Sequence, residues 1–141
     1  MIRPTTAGYL QFEHVQLRER LHLLTESVES FQASATAERQ AMLNRLRTLG
    51  LISDEEADDA DSHIPQIVEA MHAMLRKSPS LLIQAALVDG VGERRTQNQP
   101  GTSDQYPNWR IPLADEHGRV VHTDEVFDLP RVKSLAAIMD A

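Results

Sequence analysis

The chain has 141 residues, 41% of them hydrophobic, and 21 acidic against 14 basic side chains give it a formal net charge of −7. That length supports one domain with a core of its own, and the acidic balance argues against a broad nucleic-acid or anionic-membrane surface, which needs clustered Lys and Arg. Zero cysteines exclude a disulfide framework, a thiolate nucleophile and a Cys-based zinc site, and with no signal-like start and no apolar run longer than Leu81 to Val88 the expectation is a soluble, cytoplasmic protein without a membrane span.

In chain order, Leu10, Leu17, Leu21, Leu24 and Val28 recur at intervals of seven, four, three and four, so one long helix is predicted over about 5–28. Thr36 offers an N-cap for a second helix over about 36–49, with Met42, Leu46 and Leu49 on one face and Gly50 as its stop. Ser53 to Asp61 holds six carboxylates and reads as a solvated linker or helix start. It lacks the glycine and closing Glu of a calcium loop. A third helix follows over about 64–77, with Pro65 in its first turn and Ile67, Val68, Met71, Met74 and Leu75 as its apolar side. A terminal helix is expected over about 129–140, with Asp128 as its cap before Pro130.

Between these helices, Leu81 to Val88 runs almost wholly apolar without alternation and predicts a strand over about 81–88 buried on both faces. Such a strand needs neighbours for its backbone groups, and apart from a short extended piece at Val120 and Val121 the sequence offers none. The fold class expected is therefore mainly α with one buried strand.

The six histidines are scattered, none as an i, i+4 pair, and no metal site is predicted. Gly90-Val91-Gly92 is too short for a nucleotide-binding glycine pattern, and Arg94-Arg95 suggests a salt-bridging turn.

The most distinctive stretch lies in the loop expected over 89–113, as Gln97-Asn98-Gln99-Pro100-Gly101-Thr102-Ser103-Asp104-Gln105-Tyr106-Pro107-Asn108-Trp109-Arg110. Pro100, Pro107 and Gly101 deny it a regular hydrogen-bonding ladder, yet it carries the only Trp of the chain. This run closely resembles the signature of the amylomaltase-type 4-alpha-glucanotransferases, in the actinobacterial style. Pro4-Thr5-Thr6-Ala7-Gly8-Tyr9-Leu10, the Glu13-His14 pair and Leu21-His22-Leu23-Leu24 also resemble that family, as does the stretch from Ser78-Pro79-Ser80-Leu81 to Asp115.

The resemblance implies the C-terminal segment of a (β/α)8 barrel, with Leu81 to Val88 as its last strand and the loop at its active face. It implies transfer of α-1,4-glucan segments between maltooligosaccharides by a retaining mechanism, without a cofactor, in which an Asp nucleophile, a Glu acid–base and a second Asp take part. The first two would lie upstream, and counting back from Ala7 the family's His-Asp pair falls on Met1 and Ile2, which cannot do carboxylate chemistry. The expectation is that this chain alone is inactive, since Asp89, Glu93 and Asp104 sit on a loop that cannot hold two carboxyls rigidly together. Its partners would be a maltooligosaccharide or α-glucan and the missing N-terminal part of the barrel.

Each candidate residue also has a purely structural reading. Asn98 offers a donor and an acceptor to vicinal sugar hydroxyls, or caps the turn before Pro100-Gly101. Trp109 could stack on a glucose ring or anchor the loop in the core. Asp89, at the end of the predicted strand, is a substrate-binding candidate or a backbone acceptor. Tyr106 and Arg110 share this ambiguity, while Pro100, Gly101, Pro107 and Asn108 are expected to shape the loop. The rival reading of the whole chain is a non-enzymatic helical protein that self-associates or binds a partner helix through its amphipathic faces.

Overall fold

The structure, a computed structural model, describes residues 4–140. Met1 and Ile2, where the family's His-Asp pair would fall, lie outside the described residues. Seven α-helices take up about half of the described residues: α1 Thr6–Leu10, α2 Glu13–Arg20, α3 Val28–Thr48, α4 Asp54–Asp58, α5 Ile64–Arg76, α6 Leu87–Val91 and α7 Pro130–Asp140. None is long and apolar enough to cross a membrane.

The single helix predicted over 5–28 is instead two, because the backbone turns left-handed at Phe12 (φ 59°) and again at His22 (φ 55°). At the end of α2 the His22 N–H donates to Glu19 O (3.0 Å) and the Leu23 N–H to Arg18 O (2.9 Å). This is the Schellman pattern that usually recruits glycine. Heptad-like leucine spacing continues across both breaks, and so the periodicity conceals them.

The next helix begins eight residues before its expected cap. Ser27 is the true N-cap, accepting from the Ser30 N–H at 3.2 Å. Thr36 lies inside α3 and donates its hydroxyl back to Gln32 O at 2.8 Å, satisfying it without ending the helix. Gly50 (φ 66°) does close α3, where a residue with a Cβ would be strained.

The acidic run starts a helix. Ser53 and Glu56 form a reciprocal capping box, and Asp54, Glu55 and Glu56 occupy the first turn of α4, where the helix dipole favours negative charge. Helix α5 opens with Pro65 in its first turn and packs Ile64, Ile67, Val68 and Ala70 onto Leu43 and Leu46 of α3 and Ala7 and Leu10 of α1. Asp128 closes a short 3-10 turn and pairs with Lys133 at 3.0 Å, so Leu129 stands at the entrance of α7.

No strand exists among the described residues, and the one predicted over 81–88 is overturned. Leu81 and Leu82 are 106% and 88% exposed, the backbone up to Ala86 is irregular, and Leu87 and Val88 begin α6. An apolar run becomes a buried strand only where other strands complete its ladder, and here none does. The single extended pairing among the described residues is an antiparallel bridge between Ala114 and Val120, beside which Val121 packs with Val91 and Val126 in a second, smaller core.

Candidate functional site

Two buried carboxylates tie the irregular segment after α6 to the helical part. Asp89 Oδ1 accepts the Thr6 N–H (2.8 Å) at the start of α1, and its Oδ2 lies 3.6 Å from Nε2 of the buried His72 on α5. His72 Nδ1 donates to Val68 O at 2.8 Å, since a carbonyl can only accept. Asp89 therefore joins three helices, a longer-range role than bonding the turn that follows it.

Glu93, only 1% exposed, is the second hub. One carboxylate oxygen accepts the Arg95 backbone N–H and Nε, each at 2.9 Å; the other accepts Arg95 Nη2 (2.6 Å) and the Ala114 N–H (3.0 Å). The two ends of the loop are thereby clamped to one buried carboxylate. The hydrogen bond to Glu93, with its charge, holds the Arg95 guanidinium above its ordinary value. Next to Glu93, Arg94 pairs with Glu13 of α2 and its carbonyl accepts the Thr5 hydroxyl at 3.0 Å. Gly8 makes that approach possible, because a Cβ there would collide with the Arg94 carbonyl.

Within the loop, Asn108 is the clasp. Its Oδ1 accepts the Gln99 N–H at 2.7 Å and its Nδ2 donates to Thr102 Oγ1 at 2.9 Å, while the Thr102 hydroxyl donates to Gln99 O at 2.7 Å. Pro100 and Gly101 (φ 85°) form the exposed turn this clasp closes, and Pro107 O accepts the Arg110 N–H at 3.0 Å. Tyr106, 8% exposed, anchors the loop by donating its hydroxyl to Thr96 O at 2.5 Å; burial raises its phenol above the ordinary value.

Trp109 is not a core anchor. It is 70% exposed and left-handed (φ 60°), held by its backbone N–H to Gln97 O at 2.8 Å. The Arg110 side chain is exposed as well, with no ion pair among the described residues. The aromatic anchoring expected of Trp109 falls to Tyr106, which is buried and bonds the Thr96 carbonyl.

Asn98 takes no part in this network among the described residues. With Gln99 and Pro100 it lines a cleft of about 650 Å³ whose lining also includes a wall of helical residues, Tyr9, His14 and Phe31 among them. The His14 ring stacks on Tyr9 (centroids 5.6 Å apart) and meets Phe31 edge-on at 6.1 Å. Burial, and then the neighbouring Arg18, lowers the His14 imidazole below its ordinary value, against the smaller opposing pull of Glu38 and the Gly8 carbonyl. Asn98 thus shares a cleft with groups from α1, α2 and α3, whereas Asp89 and Trp109 lie outside its lining. Sequence reasoning missed Glu93 as a hub and the α2–α3 wall. Neither follows a local motif; both depend on contacts between residues distant in the chain.

By its sequence the chain is of the glycoside hydrolase class: residues 3–117 match the profile of glycoside hydrolase family 77, described as 4-alpha-glucanotransferase. It is 44% identical over 138 residues to the 4-alpha-glucanotransferases of Mycobacterium tuberculosis (strain H37Rv) and Mycobacterium bovis, covering 98% of this chain and 18% of each relative. The chain belongs to the 4-alpha-glucanotransferase family. Its fold superposes on amylomaltase from Corynebacterium glutamicum with a TM-score of 0.88 and 34% identity, over 98% of this chain and 20% of the other. That likeness is carried by helices and irregular loops, without the buried strand the apolar run predicts. The chain spans less than a quarter of the length of these relatives.

Proposed function

We propose that this chain is the C-terminal portion of a 4-alpha-glucanotransferase and contributes the Asn98 wall of its α-glucan site. The observation that carries the reading is the loop itself: Asn108, Tyr106 and Glu93 fix its path while Asn98 faces a cleft with no protein partner among the described residues. An amide so held offers a donor and an acceptor to adjacent hydroxyls of a glucose unit. Because the clasp sets its position beforehand, little conformational freedom is lost on binding.

The whole enzyme moves α-1,4-glucan segments between maltooligosaccharides by a retaining double displacement, with a carboxylate nucleophile and a carboxylic acid about 5–5.5 Å apart. Three carboxylates around this loop have other duties: Glu93 holds Arg95 and Ala114, Asp89 holds Thr6 and faces His72, and Glu13 pairs with Arg94, while Asp104 is exposed on the loop. That supports a division of labour in which the reacting acids come from the rest of the enzyme and this chain is inactive alone. The exposed side chains of Leu81, Leu82 and Trp109 are the surface that the rest would cover.

Producing this chain together with the remaining segment of a family enzyme, and following maltotriose by chromatography, tests the reading. The associated pair should yield glucose and longer oligosaccharides while each part alone yields neither. Turnover by this chain alone, or an associated and folded pair without turnover, overturns it.

A further inference from the structure

The cleft has a second wall that the signature loop does not build. Tyr9 lies in the last turn of α1, His14 and Arg18 stand on α2, and Phe31 and Glu38 stand on α3. Their side chains form a continuous series: Tyr9 stacks on His14 at an interplanar angle of 20°, His14 meets Phe31 edge-on at 73°, and the Arg18 guanidinium lies 5.5 Å from the Phe31 ring centroid. His14 Nδ1 is buried and makes no hydrogen bond of ordinary geometry among the described residues, although the Gly8 carbonyl pulls on the ring. A polar nitrogen left so costs about 1–3 kcal/mol unless something supplies its partner.

Resting on the reading of Asn98 given above, we propose that this aromatic wall is a second station for the same ligand, binding a further glucose unit of a long α-glucan chain. Three features select a neutral polyol. Aromatic rings give apolar faces to the C–H groups of a sugar. Arg18 and Glu38 bring opposite charges to the cleft, so neither an anion nor a cation is favoured overall. The volume of about 650 Å³ falls within the range of small-ligand sites, with room beyond what one amide contact uses. Asn98 and His14 then act at separate points of the cleft lining, and an oligosaccharide long enough to touch both binds more tightly than one that reaches Asn98 alone.

The test is calorimetric titration of the full 141-residue chain with maltose and with maltoheptaose. The wild-type chain should prefer maltoheptaose. His14→Ala should weaken maltoheptaose about tenfold, the size expected for one lost charge-free contact set, and leave maltose unchanged. Glu38→Ala provides the control for folding: its side chain is exposed on α3, so the helix survives, and it should lower maltoheptaose affinity about fivefold. Asn98→Ala should weaken both sugars. If both wall variants bind maltoheptaose as the wild type does while Asn98→Ala weakens both sugars, the second station is wrong and the reading of Asn98 stands. If the folded wild-type chain binds neither sugar, both fall.

Discussion

The helical part from α1 to α5 and the segment from Glu93 to Ala114 are held together in opposite ways. In the first, the buried side chains are aliphatic apart from His72: Leu46 and Ile67 are 0% exposed and Leu43 3%. In the second, the groups that lock the backbone are polar: Glu93 at 1%, Gln99 at 7%, Thr96 and Tyr106 at 8%. Apolar burial is strong but non-directional, and suits a scaffold that needs only to be compact. Hydrogen bonds contribute less each, yet they fix angles and distances, which is what a loop must have to hold Asn98 over a cleft. The molecule thus separates stability from orientation, placing the first in periodic helices and the second in a few long-range polar hubs.

Disturbing the hubs and the core separately should expose that division. Glu93→Ala should cause the largest loss, about 4 kcal/mol, because it leaves the Arg95 and Ala114 backbone N–H groups without a partner at about 1–3 kcal/mol each, while the half-exposed Arg95 guanidinium returns to water. Hydrogen exchange should accelerate at 93–114 well before it does in α3 and α5. Leu46→Ala should cost about 3 kcal/mol through the lost burial and the cavity it leaves, with the urea midpoint falling and exchange rising across α1, α3 and α5. If the two variants give the same exchange pattern, the two regions are one cooperative unit and the contrast is lost. Asn108→Ala should cost about 1–3 kcal/mol by leaving the Gln99 N–H unpaired, with faster exchange confined to 97–109.

The smallest effect is a pH dependence. Burial, and then Arg18, keeps the His14 imidazole below its ordinary value. The unfolded chain therefore takes up that proton first as pH falls. The contribution of His14 to stability is complete above the ordinary histidine value and is lost on acidification through it toward the lowered one. His14→Gln should flatten that part of a midpoint-against-pH curve; an unchanged slope would mean the imidazole is not shielded in the cleft.

The sequence disclosed what is periodic or local. Helix α5, the stop at Gly50 and the turn at Pro100-Gly101 follow from spacing and from residues with restricted or permissive backbones. The signature around Asn98 carried the family. What stayed hidden is non-local. The breaks at Phe12 and His22 place side chains with a Cβ in left-handed backbone, against the usual preference for glycine. Thr36 has the chemistry of a cap and spends it within a helix. Leu81 to Val88 has the composition of a buried strand, but a strand is a property of its neighbours as much as of itself. Asp89 and Glu93 sit only four positions apart, and nothing local announces that they bind Thr6 and Ala114.

The central claim is that the clasped loop presents the Asn98 amide to an α-glucan. The most direct measurement is to follow the side-chain amide resonances of Asn98 and Asn108 in the labelled chain while maltotriose is added. The Asn98 amide should show a saturable shift with the Asn108 amide nearly still, because one meets the sugar and the other holds the loop. A saturable shift elsewhere with Asn98 unmoved, or no shift at any concentration in the folded chain, would contradict it.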